Sequence, residues 1–244
     1  MRLDKVLLDI EVQRDFFTPG GSLYTPQAAE AARNVKRLFA WARKEHVPVI
    51  SCVLRQRAGH RGALADTPHC IEDTEGEKRL GGTLMRRCID MGMRGSTDLP
   101  IDIFRDYQQV IFERRITDIF QHARAERLLT ELTVDTFIVC GAGAAAGIAE
   151  AVIGLRQRNI KVLLAADAIL DLADPRAEMA WLRMSAKGAV PLSTAEIILG
   201  AMAAKKPYVR PKAPVHASAG REPSHFRASE RWTQDAKIEV ASIK

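Results

Sequence analysis

The stretch Val134-Asp-Thr-Phe-Ile-Val-Cys-Gly-Ala-Gly-Ala-Ala-Ala-Gly147, continued by Ile148-Ala-Glu-Ala-Val-Ile153, decides how this chain folds. A short apolar run, Phe137 to Cys140, stops at Gly141, and small residues then lead into a helical pattern from about Ala145 to Arg158. This spells a buried strand, a tight turn and a helix N-terminus. Such a turn gathers free backbone N–H groups under the positive end of a helix dipole, where an anion, an oxyanion or a thiolate is stabilised. Yet Gly141, Ala142, Gly143, Ala144, Ala145, Ala146 and Gly147 supply neither nucleophile nor acid.

The same strand and helix grammar extends outward. Lys5 to Val12 reads as a strand, and Gln13 to Gly21 as a loop rich in turn residues. Pro26 to His46 carries apolar residues at Ala28, Ala31, Ala32, Val35, Leu38, Phe39 and Ala42, the stripe of an amphipathic helix. A strand at Val47 to Leu54 completes a βαβ unit, whose two strands are parallel. Residues 55–108 are the least regular part, an insertion of the size that forms lids and binding loops.

Regularity returns with a strand at Gln109–Glu113, a helix at His122–Leu132 and the central strand, followed by a strand at Lys161–Ala166. A helix around Pro175–Lys187, led by Asp174-Pro175, a short strand near Val190 and a helix at Thr194–Ala203 close the pattern. The alternation predicts an α/β fold: a doubly wound, mostly parallel sheet with helices on both faces, three layers deep. Its ligand crevice should lie at the carboxyl ends of the strands.

Composition sets the class. The chain has 244 residues, 47% hydrophobic and 27% charged, as expected of a soluble globular protein. Two domain ranges follow, an α/β domain over 1–204 and a tail over 205–244. The formal net charge of +6 belongs mostly to that tail, which holds nine Lys/Arg against four acids and is punctuated by Pro207, Pro211, Pro214 and Pro223. Its aromatics, Tyr208, Phe226 and Trp232, are too few for a base-stacking surface, so nucleic acid is not expected as a partner. Four cysteines without CxxC spacing, no cleavable leader pattern and no apolar run of membrane length give a cytoplasmic, membrane-free expectation.

Several stretches together resemble the isochorismatase-like cysteine hydrolases, which include nicotinamidases and N-carbamoylsarcosine amidases. They are Leu8-Asp-Ile-Glu-Val-Gln-Arg-Asp-Phe-Phe17, Pro68-His-Cys-Ile-Glu-Asp-Thr-Glu-Gly76, Phe112-Glu-Arg-Arg-Ile-Thr-Asp-Ile-Phe120, and Val134 to Ala168. The resemblance spans about residues 3–203 and implies the three-layer α/β fold, a homo-oligomer and a small-molecule site. It places the family's catalytic Asp, Lys and Cys at Glu11, Arg114 and Gly147, so all three identities differ. It also implies ligand contacts at Phe16, His69, Phe120, Ala142 and Gly143.

Each change has a physical meaning. Glu keeps the carboxylate but moves it by a methylene, Arg keeps the charge but holds its proton, and Gly removes the attacking atom. Cys140, seven residues upstream in an apolar run, reads as a packed thiol and not a substitute. Zinc-dependent members of the family use an Asp and histidines after the second strand, where this chain has Val53-Leu-Arg-Gln-Arg-Ala-Gly-His60. His60 then reads as a lid histidine and His69 as part of the Pro-His-Cys loop, so neither a metal nor another cofactor is expected.

Three functional readings follow. In the first, the chain has lost thiol chemistry and serves in binding or assembly, with Glu11 and Arg114 as a buried ion pair. In the second, Glu11 is a general base on a water in the space Gly147 vacates, Arg114 clamps an anionic substrate, and a small amide or ester is hydrolysed. In the third, Gly141-Ala-Gly143-Ala-Ala-Ala146 is a dinucleotide fingerprint with Asp167 as the ribose acid.

Overall fold

In the computed structural model, residues 2–59 and 66–200 are described, so His60, the end of the last expected helix and the whole 205–244 tail lie outside them. Seven strands form one sheet: β1 (Arg2–Ile10), β2 (Val49–Leu54), β3 (Cys88–Asp90), β4 (Gln109–Arg114), β5 (Thr133–Ala142), β6 (Lys161–Leu170) and β7 (Val190–Leu192). Their order across the sheet is β3-β4-β2-β1-β5-β6-β7 and every pairing is parallel. The chain builds outward from β1 through β2 and β4, then returns to lay β5 on the other side of β1. The β1/β5 seam is therefore where the winding direction reverses and a crevice opens beyond the strand ends.

The helices are α1 (Arg14–Phe17), α2 (Ala28–Lys44), α3 (Ile103–Asp106), α4 (Ala123–Glu131), α5 (Ala149–Gln157), α6 (Ala177–Ala186) and α7 (Thr194–Ile198). Alternation along β1 divides the core in two. Val6, Leu8 and Ile10 pack with α4, α5 and α6, whereas Leu7 packs with α2 and α7. This is the expected three-layer arrangement. The α2 stripe is buried as its spacing predicts, with Ala28, Ala31, Ala32, Val35, Leu38, Phe39 and Ala42 all in the core. Burying Leu38 and Phe39 alone is worth about 1.5–3 kcal/mol each.

Boundaries differ from expectation where the backbone turns early. The first strand stops at Ile10 and not Val12, because Glu11 takes φ 55°. The helix after the small-residue turn begins at Ala149, since Ala146 is non-helical at φ −125°, ψ −113°. The helix after Asp174-Pro175 begins two residues late, at Ala177, with the Asp174 carboxylate accepting from the Arg176 backbone N–H at 2.8 Å. The last helix ends at Ile198, and Gly200 follows with φ 75°. The edge strand β3 and the short helices α1 and α3 were not expected; each is only three or four residues long, too short to show a period.

Candidate active site

Three strand ends bring the site together. Glu11 follows β1, Arg114 ends β4, and Gly147 lies in the irregular turn Ala144–Ile148 that joins β5 to α5. The turn has to be built of glycines at two points. A Cβ on Gly141, whose φ is 134°, would lie 1.9 Å from the Ile10 carbonyl oxygen, so β5 can abut β1 only without a side chain there. Gly143, at φ 77°, then reverses the chain, and its carbonyl accepts from Ala146 N at 3.0 Å and Ile148 N at 3.3 Å.

Glu11 sits in the left-handed region, which costs a non-glycine residue on the order of 1–2 kcal/mol. Its backbone N–H donates to the Cys52 carbonyl at 2.8 Å, fixing it between β1 and β2. Backbone strain of this kind collects where side-chain aim matters more than comfort. The aim is toward Arg114: Nη2 donates to Glu11 Oε1 at 2.7 Å, with the two side chains 1% and 4% exposed. Arg114 Nη1 donates to the carbonyls of Ile116 and Thr117, so the planar fork is anchored to its own loop as well.

The place of a nucleophile lies against this pair. A Cβ added to Gly147 would meet Arg114 Nη2 and Ile10 Cγ2 at 3.1 Å and Glu11 Oε1 at 3.2 Å. The guanidinium and the longer carboxylate thus crowd the direction in which a side chain would leave the turn. The other carboxylate oxygen, Oε2, accepts no hydrogen bond among the described residues and lies toward Gly143, where an added Cβ would be 3.7 Å away. One oxygen is committed to the pair and one is free.

Among the described residues three cysteines are buried and the fourth, Cys88, is exposed in the edge strand β3. Cys52 is buried and its thiol is pushed up to about 12, chiefly by burial. Cys140 and Cys70 are likewise held well above the usual thiol range by burial. Cys140 faces the α2 layer, away from the turn that carries Gly147, as its apolar context predicts.

The other expected ligand contacts separate into two groups. Ala142 and Gly143 belong to the turn itself, and Phe16 and His69 meet edge to face at 5.3 Å under the Pro-His-Cys loop. Phe120 is placed against α5: a Cβ on Gly154 would lie 2.1 Å from its ring, and Arg158 stacks on it at 4.1 Å. That is a packing position one to two turns beyond Gly147. The loop itself is held by Asp15, whose carboxylate accepts from Cys70 N at 2.6 Å and Ser22 N at 3.1 Å. Gln13, missed as a site-shaping residue, brackets β2 by accepting from Leu54 N and donating to Leu54 O and Glu77 O, each at 2.8 Å. Its side chain is fully buried, and only that burial, not its position in sequence, would have revealed it.

Among the described residues the donors around His69 do not suit a zinc ion. The His69 ring meets the Gln56 amide at 3.4 Å and the Thr67 carbonyl, an amide and a backbone oxygen and not a second imidazole or carboxylate. Among the described residues no group of three or more His, Cys, Asp or Glu is placed to hold a metal. In the dinucleotide reading the ribose acid is Asp167, and one of its oxygens is tied into the fold. Asp167 Oδ1 accepts from Thr194 N at 2.8 Å and Thr194 Oγ1 at 2.7 Å, tying β6 to α7.

Comparison with known proteins agrees with this architecture. Residues 5–83 and 96–196 match the family described as the isochorismatase domain. No curated protein matches the sequence. Among solved structures, N-carbamoylsarcosine amidase from Thermoplasma acidophilum is similar at TM-score 0.59 and 15% identity, over 79% of this chain and 97% of that one. An isochorismatase family protein from Desulfovibrio vulgaris is similar at TM-score 0.61 and 20% identity, over 80% and 97%. The pyrazinamidase of Pyrococcus horikoshii, solved in complex with zinc, is similar at TM-score 0.58 and 18% identity, over 78% and 99%. At these identities the structural likeness speaks for the fold. No helix of the described residues is long and apolar enough to cross a membrane.

Proposed function

Since the chain belongs to the isochorismatase family, we propose that it is a member without thiol catalysis, whose former reaction centre is filled by a structural ion pair and which acts by binding or assembly. The observation that carries this reading is the 2.7 Å Glu11–Arg114 contact, crowding the space in front of Gly147. A cysteine hydrolase needs a sulfur there to form its thioester, and Gly147 offers none. A guanidinium cannot stand in as a proton carrier, because it stays protonated. The reading includes a cytoplasmic location and a homo-oligomer; α6 leaves Met179 and Leu182 exposed three residues apart on one side, and sedimentation would test that part. A small molecule remains a candidate partner of the turn.

The free Glu11 Oε2 favours a second reading, in which it is a general base for direct hydrolysis of a small amide or ester. Its partner oxygen is already bonded to Arg114, which holds the carboxylate in the pair and away from a substrate, so this reading ranks second. Turnover assays on nicotinamide, N-carbamoylsarcosine and isochorismate separate the two. The proposal expects no turnover by the purified protein. Turnover that disappears in Glu11→Ala would establish the water-based hydrolase instead.

A further inference from the structure

The outer face of α2 is strongly basic. Arg33, Lys36, Arg37, Arg43 and Lys44 are all exposed on it, and at about 100° per residue they fall within about 120° of the helix circumference. Glu30 is the only acid of this helix. Arg33 and Lys36 make no ion pair among the described residues. Arg37 reaches the neutral Asn34 amide at 3.0 Å, Arg43 reaches the carbonyls of Gly82 and Leu84 at 3.2 and 3.4 Å, and Lys44 lies 3.8 Å from Glu45, with both side chains largely in solvent. The helix dipole accounts for cations in the last turn, Arg43 and Lys44, but not for Arg33, Lys36 and Arg37 nearer the middle.

Beside this face lies an open trough of about 960 Å³, at the end of the sheet where β1 begins and so opposite the strand ends that carry Glu11 and Gly147. From α2 it takes Arg37, Trp41 and Lys44, from the start of β1 it takes Lys5, and Ile198 and Leu199 close it at the end of α7. Trp41 is partly buried against the core, whereas Leu199 is 83% exposed. The trough therefore offers apolar surface and positive charge together. Two acids, Asp4 and Glu45, stand in the same lining.

We propose that α2 and the adjoining trough form a docking surface for an acidic segment of a partner protein, with its carboxylates on Arg33, Arg37 and Lys44 and an apolar side chain in the trough against Trp41 and Leu199. The three cations span about 16 Å along the helix, the reach of about five residues of extended peptide. Charge complementarity selects this occupant. A phosphate backbone is negative throughout and would meet Asp4 and Glu45, and one indole is too little for a run of bases. A peptide can place its acids at the cations and leave the rest of its length neutral. A bilayer finds no exposed large apolar side chain on α2 to take up and is too flat to enter the trough. The 205–244 tail, with nine Lys/Arg against four acids, has the same sign of charge as this face and does not complement it. Because the surface lies at the other end of the sheet, the proposal holds whether or not Glu11 acts as a base.

Selection from a displayed random library of peptides about twelve residues long, run in parallel on the full chain and on its Arg37→Glu/Lys44→Glu variant, tests the surface. The natural protein should enrich peptides that are net negative and carry an aromatic or large aliphatic residue, and the variant should not. Labelled copies of those peptides should bind the variant at least about tenfold more weakly in fluorescence anisotropy, and Trp41→Leu at least about fivefold more weakly. Added salt should weaken binding to the natural protein more than to the variant. Arg37→Gln/Lys44→Gln serves if the reversed pair does not fold. Peptides without an acidic bias, or equal enrichment on a folded variant, overturn the proposal. So does a single-stranded oligonucleotide, or a vesicle containing phosphatidylserine, that binds more tightly than the selected peptides and loses that binding in the same variant.

Discussion

Arg114 Nη2 stands 2.7 Å from Glu11 Oε1, and a Cβ on Gly147 would come within 3.1 Å of the first and 3.2 Å of the second. The pair and the glycine therefore depend on one another. Putting a cysteine back by Gly147→Cys forces the guanidinium or the Ile10 side chain to yield, and the sulfur asks for more room than the Cβ. We expect a loss of about 1–3 kcal/mol, the usual cost of overpacking, read by urea unfolding. A variant as stable as the natural protein would show that the space is open.

The turn makes a sharper prediction at Gly141. A Cβ there would sit 1.9 Å from a backbone oxygen of β1, which cannot swing away as a side chain can. Gly141→Ala should cost more than about 3 kcal/mol or prevent folding, by separating the two central strands. Gly143→Ala meets nothing nearer than 3.7 Å and pays only for its φ of 77°, about 1–2 kcal/mol. Unfolding of the two variants side by side checks the order.

Equilibrium stability should also fall as pH rises from about 4 to about 7. Burial pushes Glu113 up to about 7, above the carboxyl range of an unfolded chain near 4.3. Between those values the folded protein holds a proton that the unfolded chain has released. Stability from this group is thus greatest below the unfolded value, declines as pH rises, and is lost above about 7. Denaturation midpoints of the natural protein and Glu113→Gln should diverge across this window, with the variant flatter. Parallel curves would remove Glu113 as the group responsible.

The dinucleotide reading makes a prediction of its own failure. Thr194 engages Asp167 Oδ1 through both backbone and hydroxyl donors, so that oxygen is taken by the β6–α7 tie and is not open to a ribose. Calorimetric titration with NAD or NADP should give no binding heat. Saturable binding that is lost in Gly143→Ala would restore the reading.

The fold was legible because its signals are periodic and long. The α2 stripe and the apolar β5 run both bury as their spacing predicts. Glu11, Arg114 and Gly147 are distant in sequence, the spacing of the surrounding motifs singled them out, and the structure brings them into contact. What stayed hidden was local or long-range in character. The left-handed turn at Glu11 leaves no mark in composition, and three-residue β3 is too short to declare a period. Phe120, a motif landmark, packs on Gly154, a contact set by how the helix crosses the sheet and not by spacing. The buried Asp9 network, with Ser51 bonded to one oxygen and Arg79 to the other at 2.9 Å, joins residues 42 and 70 positions apart.

The central claim is that Glu11 and Arg114 persist as a structural pair, and a double-mutant stability cycle addresses it directly. Arg114→Met leaves a buried carboxylate without its partner and Glu11→Leu leaves a buried guanidinium, and each should lose roughly 3–5 kcal/mol in equilibrium unfolding. The double variant, with apolar groups in both places, should recover most of that loss, giving strong coupling between the two positions. Single variants within about 0.5 kcal/mol of the natural protein, with additive effects in the double, would contradict the account and mark the pair as a site kept for chemistry.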